Sequence, residues 1–367
     1  MIKVLHYLRH LALGGTEKTC QLFFEHADRS KFEVAVVYEK SGTHPRLEEF
    51  QKGARCCGGE LFEIDSYESG TSDGKALQSV IDHFKPDILH VYRSGYHEFP
   101  SPGDDISVPH FVETNVFGFY DGNGKIERSL FMSKWLMDYT LRKLRPISRG
   151  IMPKRFDFVN NPVEMPCGFD ELAITQRWKA EGATVVGRCG RPDNGIYHSL
   201  NVESVRLLRM QGYDIRFVVV APPSNMLDDL ARYEIPFYAI DPTTSPVLLS
   251  TFYNSVDIYT HARADGETFG VNIAEAMIHG KPVITHIAVP SVPGMGVFQS
   301  QTELVENGRT GFVVNNTPAE YAEALRLLID DKQARDKMGE LGRRKAEAEY
   351  EVTACMSKLE RIYQEIA

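Results

Sequence analysis

No apolar run in this chain of 367 residues is long enough to cross a bilayer, and its start does not resemble a secretion signal. MIKVLHYL reads as a first strand. There is no basic excess: the formal net charge is −9, which argues against a general nucleic-acid binder. The cysteines Cys20, Cys56, Cys57, Cys167, Cys189 and Cys355 include no CxxC, so neither a zinc site nor a secreted disulfide framework is expected. Free thiols in a reducing cytoplasm fit better. The histidines show no metal-ligand spacing, so no catalytic metal is expected; no cofactor is expected either. Short repeats and low-complexity tracts are absent.

What is present is the composition of a globular protein with a length suited to two domains. Short β-branched and aromatic runs, bounded by Gly, Pro, Asp or Ser, predict strands at 2–8, 33–38, 61–64, 87–92, 109–114 and 157–160. Helical patterns fall at 16–27, 45–53, 74–84 and 134–145. The second half repeats the alternation, with strands at 184–188, 215–220, 236–240, 257–260 and 282–286. Its helices fall at 197–211, 225–232, 246–254 and 268–279, and a charged helical tail begins near 317. Alternating strands and helices imply parallel sheets covered on both faces. NPVEMPCGFDELA breaks the pattern and marks the boundary, which is expected near 162–182. The expectation is an α/β chain of two tandem doubly wound, Rossmann-like domains, 1–165 and 166–349. If their strand ends face one another, the ligand site is the cleft between them.

The segment ADGETFGVNIAEAMIHGKPVIT carries the most chemistry. Glu267 and Glu275 stand eight positions apart, and Thr268, Phe269, Gly270 and Val271 lie where a helix would begin. Amides at a helix start lack partners inside it and carry partial positive charge, so they suit a phosphate. Two carboxylates could hold hydroxyls on either side of that phosphate, which describes a nucleotide sugar. On a helix, Glu275 has Val271 and Ile278 as neighbours. A charge there needs a partner such as a ribose diol, or else it curls out to solvent or pairs with Arg188 or Lys281.

Weaker candidates surround this pair. Gly14 and Gly15 follow the first strand and open a helix that Thr16 could cap. They form half of a dinucleotide fingerprint, or simply a turn. Arg188 and Arg191, in GRCGR, end the first strand of the second domain and could bind a diphosphate, or lie on a polar surface loop. His90 and Arg93 end the strand in DILHVYRSG. They point to the cleft, or His90 is a satisfied strand residue. The stretch 142–155 contains Arg142, Lys143, Arg145, Arg149, Lys154 and Arg155 and no acid. With the amphipathic helix before it, the span 134–155 could touch an anionic membrane surface or an anionic acceptor. The alternative is a solvated helix end.

Taken together, these motifs resemble the retaining glycosyltransferases of the GT-B fold, family 4. The resemblance covers nearly the whole chain and is strongest over VDIYTHARADGETFGVNIAEAMIHGKPVIT and TELVENGRTGFVV. Glu267 and Glu275 match that family's E-x7-E signature. LGGTEK is similar to its Gly-Gly loop, PDILHVY to its fourth strand, FVNNPVE to the approach to its linker, and VVGRCGRPD to its Gly-Arg loop. The resemblance implies that Glu275 binds the nucleotide ribose and that Glu267 holds the transferred sugar. It places the amides of Phe269, Gly270 and Val271 against the sugar and diphosphate, Arg188 on the leaving diphosphate, and Gly14 and Gly15 beside donor and acceptor. It also brings a last helix, 350–367, back onto the first domain. Two positions depart from the family. A Lys expected after the Gly-Arg pair is replaced by the run Asn194, Gly195, Ile196, where Arg191 could substitute. A His expected after the fifth strand is replaced by Asn115, which can bond a sugar but cannot act as a base.

The function implied is transfer of a hexose, with retention, from a UDP- or GDP-sugar to a glycan, lipid-linked or small-molecule acceptor. No metal and no nucleic acid take part, and the setting is cytoplasmic. A nucleotide-sugar-binding protein with little activity and a nucleotide-sugar epimerase are the alternatives. Loop 241–246 is expected near the base, but nothing in it selects uracil or guanine.

Overall fold

In the computed structural model, residues 1–65, 74–94, 98–103, 105–119, 121–144, 155–290 and 296–367 are described. They divide into two units, Met1–Pro162 with Val352–Ala367, and Val163–Glu351.

The first unit is built on β1 (Ile2–Leu8), α1 (Gly15–His26), β2 (Phe32–Glu39), α2 (Leu47–Cys57), β3 (Glu60–Ile64), α3 (Lys75–Phe84), β4 (Ile88–Arg93), β5 (His110–Asn115), β6 (Arg128–Phe131), α4 (Lys134–Leu144) and β7 (Phe156–Phe158). The strands form one parallel sheet in the order β3-β2-β1-β4-β5-β6-β7. Its central strands are apolar on both faces, as a sheet covered twice requires. One face sets Leu5, Tyr7, Val37, Leu89 and Val91 against Leu77, Ile81 and Phe84 of α3. The other sets Val4, Leu8, Val34 and Val36 against Phe23 and Phe24 of α1.

That second face also takes the last helix of the chain, α13 (Val352–Ile366), through Met356, Leu359, Ile362 and Tyr363. His6 and His90 stand opposite each other in the β1–β4 register, with ring centroids 5.2 Å apart. Tyr92 stacks on His90 at 4.8 Å, and Tyr363 meets His90 edge-on at 5.8 Å.

The second unit contains α5 (Ala173–Ala180), β8 (Thr184–Cys189), α6 (Leu200–Arg209), β9 (Ile215–Val220), α7 (Ser224–Arg232), β10 (Phe237–Ile240), α8 (Pro246–Ser255) and β11 (Ile258–Thr260). It continues through α9 (Val271–Ile278), β12 (Val283–His286), α10 (Gln301–Leu304), β13 (Gly311–Val314), α11 (Pro318–Asp330) and α12 (Lys332–Glu349). Its parallel sheet runs β10-β9-β8-β11-β12-β13. Phe217, Val219, Ile258 and Ile284 pack with Val205 and Leu208 of α6 and with Tyr321, Leu325 and Leu328 of α11. The strand order reverses between β8 and β11, and it is at the carboxyl ends of strands beside such a reversal that doubly wound sheets bind ligands. The chain enters and leaves this unit at one place: the Val163 amide donates to the Tyr350 carbonyl at 2.8 Å.

Several local expectations change. α9 begins at Val271 rather than 268, because Gly270 has φ +103° and ends the preceding loop in a left-handed conformation. Gly14, not Thr16, occupies the cap position of α1, and Thr16 lies inside the helix. The span 162–182, expected to be irregular, includes α5, which buries Trp178. β6, β13 and α10 had no predicted counterpart. The charged tail is three helices, α11, α12 and α13, and the break between the first two falls where the Asp331 side chain accepts from the Ala334 amide and caps a new start.

Candidate active site

Arg188 is the penultimate residue of β8 and lies where the strand order reverses. Its side chain is held in by the loop that follows: a Cβ added at Gly190 would stand 3.4 Å from the guanidinium. Arg188 is only 5% exposed, and its Nη1 is buried with no hydrogen-bond partner. Burial lowers its pKa, against which Tyr259 and other groups nearby act. The end of β8 is fixed from two sides. The Tyr259 hydroxyl accepts from the Cys189 amide at 3.2 Å, and Asn272 Nδ2 donates to the Cys189 carbonyl at 2.8 Å.

Asn272 belongs to α9, so the same bonds set the start of that helix beside β8. The Gly270 carbonyl accepts from the Ile273 and Ala274 amides at 3.0 and 3.2 Å, closing the first turn. Among the described residues, the amides of Phe269, Gly270 and Val271 have no backbone acceptor outside the helix's own ladder. The side chain of Phe269 is core, meeting Tyr350 edge-on at 5.5 Å, so only its backbone is available to a ligand. Ser300 Oγ donates to the Thr268 carbonyl at 2.8 Å and pins the approach.

Glu267 is nearly buried, and each of its oxygens faces a nitrogen. His261 Nε2 lies 3.2 Å from Oε1, while His261 Nδ1 shares a 2.8 Å hydrogen bond with Thr285. Arg263 Nη1 lies 3.5 Å from Oε2. Burial alone would raise the pKa of Glu267, but Arg263, the His261 hydrogen bond and Arg191 outweigh it and hold the pKa below its ordinary value. Its backbone is fixed as well: the amide donates to Gln301 Oε1 at 3.0 Å, and the carbonyl accepts from the Ser300 amide at 3.0 Å.

Glu275 does not curl out to solvent. It is 9% exposed, and its Oε2 accepts a 2.8 Å hydrogen bond from the Tyr253 hydroxyl. Lys281, weighed as an ion partner, donates to the Asn254 carbonyl at 3.0 Å. Arg191 is exposed on the loop after β8. On the same loop, Asn194 accepts from Ser224 and the Asn225 amide at the start of α7, so the position expected to hold a Lys is a structural clamp.

The remaining candidates lie in the first unit, and three have partners that leave little for a ligand. His90 is 0% exposed; Nδ1 pairs with the Tyr363 hydroxyl at 2.5 Å and Nε2 with Thr114 Oγ1 at 2.7 Å. It is the satisfied strand residue of the two readings, because α13 covers it. Arg93 is equally enclosed, with Nη1 at 2.8 Å from Asp121 and 3.2 Å from Glu113, and Nη2 donating to the Pro100 carbonyl. Asn115 is buried, and its Oδ1 accepts from the Phe119 amide at 3.0 Å, closing the turn after β5. Gly14 caps α1 and Gly15 is its first residue; the Glu17 carboxylate folds over Gly14. In the basic stretch, Lys143 lies 4.1 Å from the centre of the Tyr139 ring. Arg145, Arg149 and Lys154 fall outside the described residues.

Sequence reasoning passed over His261, Arg263, Asp265, Tyr253 and Gln301. The first three were legible as a dense run of ionisable residues after a strand, in YTHARADGE. Nothing in the sequence pairs Tyr253 with Glu275.

Residues 184–345 match the family described as "Glycosyl transferases group 1", so the second unit carries a domain of that kind. A capsular polysaccharide biosynthesis glycosyltransferase of Staphylococcus aureus, CapM, is 27% identical over 230 residues, which is 59% of this chain and 53% of that protein. An alpha-D-kanosaminyltransferase of Streptomyces kanamyceticus is 34% identical over 102 residues, 27% of this chain and 24% of that protein. The chain thus matches about half or less of the length of these relatives. Among solved structures, HepE of Anabaena in complex with UDP and glucose aligns over 100% of both chains with a TM-score of 0.73 at 14% identity. The pneumococcal O-GlcNAc transferase GtfA, in complex with UDP and GlcNAc, gives a TM-score of 0.72 at 10% identity over 100% of this chain and 99% of its own. The fold, two parallel-sheet α/β domains, is that of GT-B glycosyltransferases. Among the described residues, no helix is long and apolar enough to cross a membrane, and no group of three His, Cys, Asp or Glu could hold a metal ion.

Proposed function

We propose that the protein transfers a hexosyl group from a nucleoside-diphosphate sugar to an acceptor hydroxyl, with retention at the anomeric carbon and without a metal. The observation that carries this reading is Arg188, a guanidinium buried with a free Nη1 beside the unpaired amides at the start of α9. A buried cation with an unmet donor calls for an anion, and the helix start adds to the same positive potential. A diphosphate satisfies both. Glu275 accepts from the ribose hydroxyls, and Glu267, kept ionised, accepts from hydroxyls of the sugar.

In the reaction, the bond between the anomeric carbon and the β-phosphate oxygen breaks and its electron pair goes to the phosphate. Arg188 and the amides of Phe269, Gly270 and Val271 stabilise that charge, as preorganised donors do. The acceptor oxygen bonds to the same face of the anomeric carbon, and its proton passes to the departing phosphate. No protein base is then required. Relatives of the same fold solved with UDP favour a UDP-sugar as the first donor to try.

A second reading, a nucleotide-sugar-binding protein with little turnover, draws on Asn115, whose side chain is committed to the Phe119 amide. Incubation with UDP- and GDP-sugars and a panel of acceptors separates the two. Acceptor-dependent release of UDP or GDP supports transfer; tight donor binding with no release under any acceptor supports the second reading.

A further inference from the structure

Arg263 stands where the loops after β8 and β11 meet, and its backbone is fixed before its side chain is considered. Tyr197 and Arg263 form an antiparallel bridge, and the Ala264 amide donates to the Ile196 carbonyl at 3.2 Å. The Arg263 amide donates to His286 Nε2 at 3.2 Å, and His286 Nδ1 meets the Ile287 carbonyl. Asp265 then grips the side chain with both oxygens, at 2.5 Å from Nε and 3.0 Å from Nη2. That two-point hold fixes the plane of the guanidinium and leaves Nη1 directed at Glu267 Oε2, 3.5 Å away. The Asp265 carbonyl is itself held by the Phe298 amide at 2.9 Å. A bare surface ion pair needs none of this support.

We propose that Arg263 and Asp265 form a fixed clamp that keeps Glu267 charged and oriented for the hydroxyls of the transferred sugar. Arg263 is a positioning residue that sets affinity for the sugar part of the donor and leaves affinity for the nucleotide part to Arg188 and Glu275. This rests on Glu267 being the sugar-binding carboxylate.

The chemistry suits the task. A carboxylate that must accept from sugar hydroxyls has to stay ionised in a buried position. Arginine gives a permanent charge, whereas a lysine could not be gripped in a plane by Asp265. At 3.5 Å, Nη1 supplies charge while leaving lone pairs on Oε2 open to hydroxyls. The other groups that bear on Glu267 are His261 on the same loop, backed by Thr285 of β12, Arg191 on the loop after β8, Arg188 on β8, and the Gln301 side chain at its amide. Of the arginines, Arg263 bears on the charge of Glu267 most strongly.

The test compares the whole chain with R263M, R263K and D265N, measuring by calorimetry the binding of UDP alone and of UDP-glucose from pH 4 to pH 8, with GDP and GDP-mannose run in parallel. R263M is expected to bind the free nucleotide like the parent and the nucleotide sugar roughly tenfold more weakly, the size of one lost charge-assisted interaction. The pH below which the sugar adds no affinity should rise by about one unit or more in R263M. R263K should restore part of that loss, and D265N should fall between. Thermal melting identifies any variant that fails to fold, and R263K then carries the comparison. Equal weakening for nucleotide and nucleotide sugar, or an unchanged pH limb, would overturn the clamp alone. Parent protein that binds no nucleotide sugar would overturn the proposed function and the clamp with it.

Discussion

Glu275 shows what a buried carboxylate needs. It sits among the apolar residues of α9 and receives the Tyr253 hydroxyl on one oxygen. E275Q keeps the shape and removes the charge, so affinity for free UDP should fall about tenfold or more while melting temperature changes little. An unchanged UDP affinity, measured by calorimetry, would remove Glu275 from the nucleotide site. Arg188 has the complementary role. R188Q should reduce turnover by about a hundredfold or more, the usual cost of removing a donor to developing charge. Single-turnover release of UDP checks this, and a change confined to KM would contradict it. At this scale the sequence was partly legible. Arg188, Glu267 and Glu275 could be picked out because a charge beside a glycine or within an apolar stripe is conspicuous. Tyr253 and Gln301 could not, because each reaches its carboxylate or amide from a distant element. His90 misled for a related reason: its partner, Tyr363, lies 273 residues away.

The elements themselves were mostly legible, because each is dominated by one local signal. β1 and β9 follow short runs rich in β-branched and aromatic residues. β6 and β13 were missed because RSLF and GFVV are four-residue strands that gain stability only from the strands they pair with, β5 and β7 for β6 and β12 for β13. α5 was hidden by the prolines before it. The start of α9 depends on one residue, Gly270, whose φ of +103° is strained for any side chain, and where a Cβ would also stand 3.1 Å from Ile273. G270A should therefore destabilise the unit by about 1–2 kcal/mol and move the amides that precede the helix. Loss of UDP-sugar affinity in G270A beyond what its stability change explains is the expected readout. Undisturbed affinity would separate the helix start from the phosphate. In α13, Leu359 is fully buried against the first sheet, and L359A should cost about 2–5 kcal/mol in urea unfolding.

For the whole molecule, the arrangement of the sheet decides where chemistry can occur. The reversal of strand order between β8 and β11 brings residues 188–191 and 261–275 together. No local pattern announces that reversal; it follows from doubly wound topology once the alternation is recognised. Acid sensitivity is also a property of the whole chain. Burial pushes His6 and His286 down to about 3, and it lowers His90 well below its ordinary value. The unfolded chain binds protons at these sites below about pH 6.5, while the folded chain does not. Stability is therefore unaffected by them above that pH and falls as pH drops from about 6.5 toward their folded values, by about 1.4 kcal/mol per pH unit for each. Urea midpoints at pH 7.5, 6 and 5 should decline in that order, and a flat series would mean that these rings are not buried neutral.

The most direct measurement of the central claim is a reaction of the purified chain with UDP-glucose, and in parallel GDP-mannose, across an acceptor panel, with the anomeric proton of the product followed by NMR. Acceptor-dependent release of the nucleoside diphosphate and a product with the donor's anomeric configuration are expected, both reduced by R188Q and E275Q. An inverted product, or donor that binds at Glu275 and is never turned over, would contradict it.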